Sequence, residues 1–131
     1  MAWDQRRRTP QPAVHAGAVA SGVVATFVTS LLAAGVVAVI VVSTPLTEQR
    51  AGAALFVTGL LSLAIGAGFG ARRAGGRGWI HGLLIGLVYV ACSLALEPAL
   101  FPGTISFGGV MTRLALGLAT GALGGVVGVN L

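Results

Sequence analysis

The stretch AGAVASGVVATFVTSLLAAGVVAVIVV, residues 16–42, carries no charged side chain and decides the fold. It is longer than the roughly 20 residues an α-helix needs to cross a hydrocarbon core of about 30 Å. Its Val, Leu, Ile and Phe residues each favour insertion by about 0.3 to 0.6 kcal/mol at a helix centre. Their crude sum is about −5 kcal/mol before Ser, Thr and Gly are counted. A secretory signal has an apolar core of only about 7–15 residues, so this segment is expected to stay on the protein as a first membrane helix.

Three further apolar runs follow, over residues 51–71, 79–96 and 111–131. Residues 1–15, with three arginines and two prolines, read as a mobile cytoplasmic basic tail, and residues 16–131 as the membrane domain. The connectors are the segment 43–50 with Pro45, the basic glycine-rich turn 72–78, and a loop over 97–110. Pro98 is expected to stop the third helix there, since proline is common just after a helix end. Strands do not fit. A membrane barrel uses alternating segments of about ten residues and at least eight of them, whereas a helix satisfies its own backbone in lipid whatever the β-propensity. The expected fold is therefore all-α: a polytopic protein with four transmembrane helices in a compact up-down bundle.

Composition agrees. Only 8% of the 131 residues are charged and 56% are hydrophobic, against about 25% charged in soluble domains. Such a chain has too little polar surface to be a soluble globule. The net charge of +5 comes from eight arginines against three acidic residues, with no lysine. In a soluble protein that basicity would suggest nucleic acid; here the arginines sit between apolar runs and act as topology signals, so no nucleic-acid partner is expected. Four spans put Arg6, Arg7, Arg8, Arg72, Arg73 and Arg77 on one side and Arg50 and Arg113 on the other. Positive residues gather on the cytoplasmic side. Both termini are thus expected in the cytoplasm, with the protein in the cell (inner) membrane. The first six arginines also suit anionic lipid headgroups, at about 1 kcal/mol per cation near the surface.

Glycine is the most informative residue type, 21 in all. Gly66 and Gly70, Gly82 and Gly86, Gly117, Gly121 and Gly125, and Gly124 and Gly128 are each spaced by four. At that spacing small residues line one helix face and let another helix approach closely, the usual source of packing between membrane helices. These nine are the expected helix-packing residues, within the bundle or in a homo-oligomer.

Few polar groups remain as functional candidates. His81 lies about one turn into the third helix, close enough to the interface to be hydrated, and ionisable groups in a span are functional candidates by default. Tyr89 and Cys92 share its face, about 80° and 20° around the helix. Glu97 and Arg113 flank the same loop and are expected to pair or to reach water separately. Asn130 is placed to cap the last helix or to face cytoplasmic water. Val14-His15 and Ile80-His81 both precede small-residue-rich helices entering from one side, a hint of a parallel repeat. Nucleophilic catalysis needs an activated nucleophile with a positioned base, and a metal site needs several ligands. One His, one Cys, one Tyr and scattered hydroxyls supply neither, so no catalytic, cofactor or metal site is expected. The lone Cys92 cannot form an intrachain disulfide.

The stretch GARRAGGRGWIHGLLIGLVY, residues 70–89, and the ending GALGGVVGVNL, residues 121–131, resemble the YrzE-like family of small bacterial four-helix membrane proteins of unknown function. That pattern joins a basic glycine-rich turn to Gly-Trp-x-x-Gly and ends in Gly-x-x-Gly-Gly-x-x-Gly-x-Asn. Gly78, Trp79, Gly82, Gly86, Gly121, Gly124, Gly125, Gly128 and Asn130 occupy its positions. The resemblance implies the four-helix architecture and assigns no activity. Small multidrug transporters, of similar size, would need a membrane-embedded Glu in the first helix, and none lies in residues 16–42. The expected role is a non-enzymatic packing or assembly partner of another envelope component, with a small homo-oligomeric transporter or channel as the alternative.

Overall fold

Four helices form where the apolar runs lie: α1 Ala16–Ser43, α2 Glu48–Ala74, α3 Gly78–Leu100 and α4 Phe107–Asn130. The computed structural model describes residues 14–45, 47–100, 102–103 and 106–131, with only the main chain at Leu100. The shortest helix, α3 with 23 residues, is about 34 Å long, more than the hydrocarbon core requires. All four are long and apolar enough to cross a membrane, and there is no strand among the described residues. The chain is a multi-pass membrane protein.

The helices extend beyond the apolar runs that reveal them. Hydropathy marks the part in hydrocarbon, while backbone hydrogen bonding continues into the interface. So α2 starts at Glu48 rather than 51 and runs through Arg72 and Arg73. It stops at Gly75, whose φ of 70° needs a residue without Cβ, and the Gly75 N–H bonds back to Arg72 O. The stop expected at Pro98 is also corrected: α3 runs through it to Leu100. Proline removes one N–H, but its fixed φ suits a helix, and the helix ends two residues later. On the far side of the loop, α4 begins at Phe107 rather than 111, because the Ser106 side chain accepts a hydrogen bond from Gly109 N at 3.2 Å.

The bundle is a rhombus in cross-section. α2 packs on all three other helices, α3 meets α1, α2 and α4, and α1 and α4 occupy opposite corners without contact. Leu63, Ala67 and Ile85 form the fully buried core on the short α2–α3 diagonal, with Val19, Val23 and Tyr89 packed against it.

Main chain against main chain closes most of the remaining seams. In the α3–α4 seam a methyl group on Gly86 would lie 2.6 Å from Gly117 O, and one on Gly125 would lie 2.9 Å from Gly82 Cα. In the α1–α2 seam, one on Gly70 would lie 2.8 Å from Ala18 O and one on Gly66 would lie 2.8 Å from Gly22 O. The two seams correspond. Ala18, Gly22 and Thr26 occupy the places of Gly82, Gly86 and Val90, while Gly70 and Gly66 occupy those of Gly121 and Gly117. The hairpins are a parallel repeat, each starting at the same end of the bundle. Its register pairs Gly22 with Gly86, which sets His15 against Trp79 rather than against His81 as the two dipeptides suggested.

Candidate functional site

The polar groups of the spans gather in three places along the bundle. At the end that carries Arg72, Arg73 and Arg77, the tight turn after α2 sets up the first. Arg77 takes a positive φ of 48°, uncommon outside glycine. Its carbonyl then accepts from Ile80 N at 3.1 Å and from His81 N at 3.4 Å, and His81 Nδ1 lies 3.1 Å away. A carbonyl only accepts, so Nδ1 carries the proton. Nε2 is then free to accept, and the His15 backbone N–H donates to it at 3.1 Å. The two imidazoles stack with centroids 6.2 Å apart and planes 17° from parallel.

His81 is 1% exposed, so the hydrated interfacial position expected for it is corrected. It lies under the start of α1, where Nδ1 is held by its own turn at Arg77 and Nε2 latches the first hairpin to the second through His15. Chain residues 14 and 15, assigned to the tail from sequence, belong to this junction.

The second place is mid-bundle, where Ser30 and Tyr89 hydroxyls meet at 3.3 Å and the Tyr89 ring leans on Phe27. A cavity of about 150 Å³ between α2, α3 and α4 reaches Tyr89, Ser93 and Arg113. His81 is not on its wall, and its other lining is apolar or glycine. Cys92, on the same face in sequence, is a half-buried free thiol.

At the opposite end Arg113 and Glu97 form an ion pair between α4 and α3. The arginine is 45% exposed and the glutamate 14%, so the pair is open to its surroundings on one side. Asn130 Nδ2 donates to Val126 O at 2.8 Å within α4. Arg72 Nη2 donates to the Leu131 main-chain oxygen at 3.1 Å. Arg6, Arg7 and Arg8 lie outside the described residues.

All nine glycines singled out by spacing face another helix. Gly66 and Gly70 meet α1; Gly82 and Gly86 meet Gly117, Gly121 and Gly125 of α4; Gly124 and Gly128 meet Ala64 and Gly68 of α2. The sequence reading left out Gly22, Gly68 and Gly78, whose added methyls would also meet neighbouring main chain. Their signal was present as spacing by four, Gly78 to Gly82 outright and Gly22 and Gly68 through Ala18 and Ala64. Thr26 was missed too. It is fully buried against Gly66, its hydroxyl satisfied by Gly22 O at 2.9 Å. No cluster of three His, Cys, Asp or Glu suited to a metal occurs among the described residues.

One family model, described as a protein of unknown function (DUF3792), matches residues 15–128. Neither the curated proteins nor the solved structures give a significant match.

Proposed function

The chain belongs to the DUF3792 family of proteins of unknown function, and we propose that it is a non-enzymatic membrane protein that packs against another envelope component. Its basic turn and glycine-rich ending support a place with the YrzE-like proteins of that description. The observation that carries the reading is Gly35. Among helical glycines away from the first two turns, it alone has nothing within 4 Å of an added methyl. The half of α1 around it is held weakly. Its buried residues are Ala18, Gly22 and Thr26, all on the near side, while Val36 and Val39 are 62% and 67% exposed. Most glycines in the middle of these helices let a neighbour approach, so Gly35, a notch among the exposed Leu31, Leu32 and Val39, suits a partner's membrane helix.

The arginine distribution supports an inner-membrane location with both termini cytoplasmic. Trp79, 55% exposed at the start of α3, suits the aromatic belt at the same end. A transporter reading draws on His81, but that side chain is enclosed and both its nitrogens are engaged within the chain.

The test is purification in mild detergent of the full chain and of Gly35→Leu. One stoichiometric membrane partner should accompany the former and be lost from the latter, with the bundle's melting unchanged. Recovery of the same partner with Gly35→Leu would reject the face. Ion or substrate flux in liposomes abolished by His81→Gln would reject the role itself and favour the homo-oligomeric transporter.

A further inference from the structure

We propose that the groove between α2 and α4 binds one acyl chain of an anionic phospholipid, with the lipid phosphate held by Arg72. This site is separate from the α1 face and does not depend on it. The groove is an open one of about 620 Å³. Its floor is where the two backbones come together. A methyl on Gly68 would lie 3.2 Å from Gly124 O, and Gly128 abuts Gly68. Ile65 on one side and Leu123 and Val127 on the other rise from that floor, all more than half exposed. Small residues between larger ones leave an apolar trough, and in a bilayer an apolar trough of this kind is filled by hydrocarbon.

Length and charge select the occupant. The α4 wall runs from Thr120 to the end of the helix at Asn130, about 15 Å at 1.5 Å per residue. That is half of the roughly 30 Å hydrocarbon thickness, or one leaflet. The trough ends at Arg72, the one charged residue on its lining, at the arginine-rich end. The hydrogen bond from Arg72 Nη2 to Leu131 O fixes the guanidinium at the mouth of the trough. Arginine has five N–H donors, which leaves a fork for a phosphate. A second copy of the chain fits less well. The described acidic residues, Glu48 and Glu97, sit at the opposite end of the bundle, so a copy in the same orientation brings neither to Arg72. Arg73 is adjacent in sequence but absent from the trough lining, so it serves as the control.

The experiment is native mass spectrometry of the full chain released from micelles containing phosphatidylglycerol and phosphatidylcholine with identical chains. One phosphatidylglycerol should be retained per chain in preference to phosphatidylcholine. Arg72→Gln should lower that preference about fivefold, the equivalent of about 1 kcal/mol for one cation at the surface. Arg73→Gln should leave it intact. Leu123→Trp, which covers the trough from its exposed wall, should reduce retention of both lipids without changing helicity or melting. Equal preference in the Arg72 and Arg73 variants would overturn the assignment, as would lipid retention unaffected by Leu123→Trp. So would a lipid-free dimer joined through a disulfide in Leu123→Cys.

Discussion

The α1–α2 and α3–α4 hairpins repeat one arrangement and close it with different chemistry. In the second hairpin glycine faces glycine at successive turns, Gly82 against Gly121 and Gly125, and Gly86 against Gly117 and Gly121. In the first, side chains enter the same seam: Thr26 fills the space beside Gly66, and Ile85 of α3 reaches in beside Gly22 and Gly70. Backbone-to-backbone contact leaves nothing that can rotate aside. Contact through a side-chain end can relax. Gly82, Gly86, Gly121 and Gly125 of the second seam meet main chain alone, whereas Gly22, Gly66 and Gly70 of the first meet a side-chain end as well as main chain, so the first seam has more room to relax.

The largest effect should come from adding a methyl where only main chain can receive it. Gly82→Ala collides with the Gly121 carbonyl and should cost about 1–3 kcal/mol, the usual penalty for overpacking. Reversible unfolding in mixed micelles measures it, and a cost no larger than at Gly22 would erase the difference between hairpins. At Gly22 the added methyl strikes the end of Ile85 first and then reaches Gly66 O at 3.0 Å and Gly70 Cα at 3.1 Å. Gly22→Ala should cost less than Gly82→Ala, and Ile85→Val should offset part of the cost by removing the terminal methyl. In a double-mutant cycle the pair should couple by about 0.5 kcal/mol or more. Strict additivity would mean Ile85 is not what limits the seam. The smallest effect belongs to the ion pair. Reversing Glu97 or Arg113 alone should cost about 0.2–1 kcal/mol, because Arg113 is nearly half exposed. Glu97→Arg combined with Arg113→Glu should recover the loss; a double variant no more stable than the singles would show that the contact does not tie α3 to α4.

Spans and seams were legible in the sequence for a simple reason. Lipid enforces helix on any long uncharged run, and glycines four apart report a close face without further context. The pairing of Glu97 with Arg113 was legible because one short loop joins their helices. Helix ends were not, since Arg72, Arg73 and Pro98 are polar or helix-breaking by type yet remain helical in the interface. His81 was misplaced because depth along α3 was counted from its own helix. Its burial comes from the start of α1, 66 positions earlier in the chain. That distance also hid the role of His15, which acts through a backbone N–H that no side-chain pattern can signal. Gly35 has no small residue four positions away, only Leu31 and Val39, and only the assembled bundle shows that it faces no neighbour.

The account rests on two hairpins that enter and leave at the same end. Single cysteines placed at Thr44, Gly76 and Gly103 in a Cys92→Ser background, labelled by an impermeant maleimide in oriented vesicles, read this directly. Gly76 should label from one side of the membrane, and Thr44 and Gly103 from the other. Labelling of Gly76 and Gly103 from the same side would contradict a second hairpin that crosses twice, and with it the repeat.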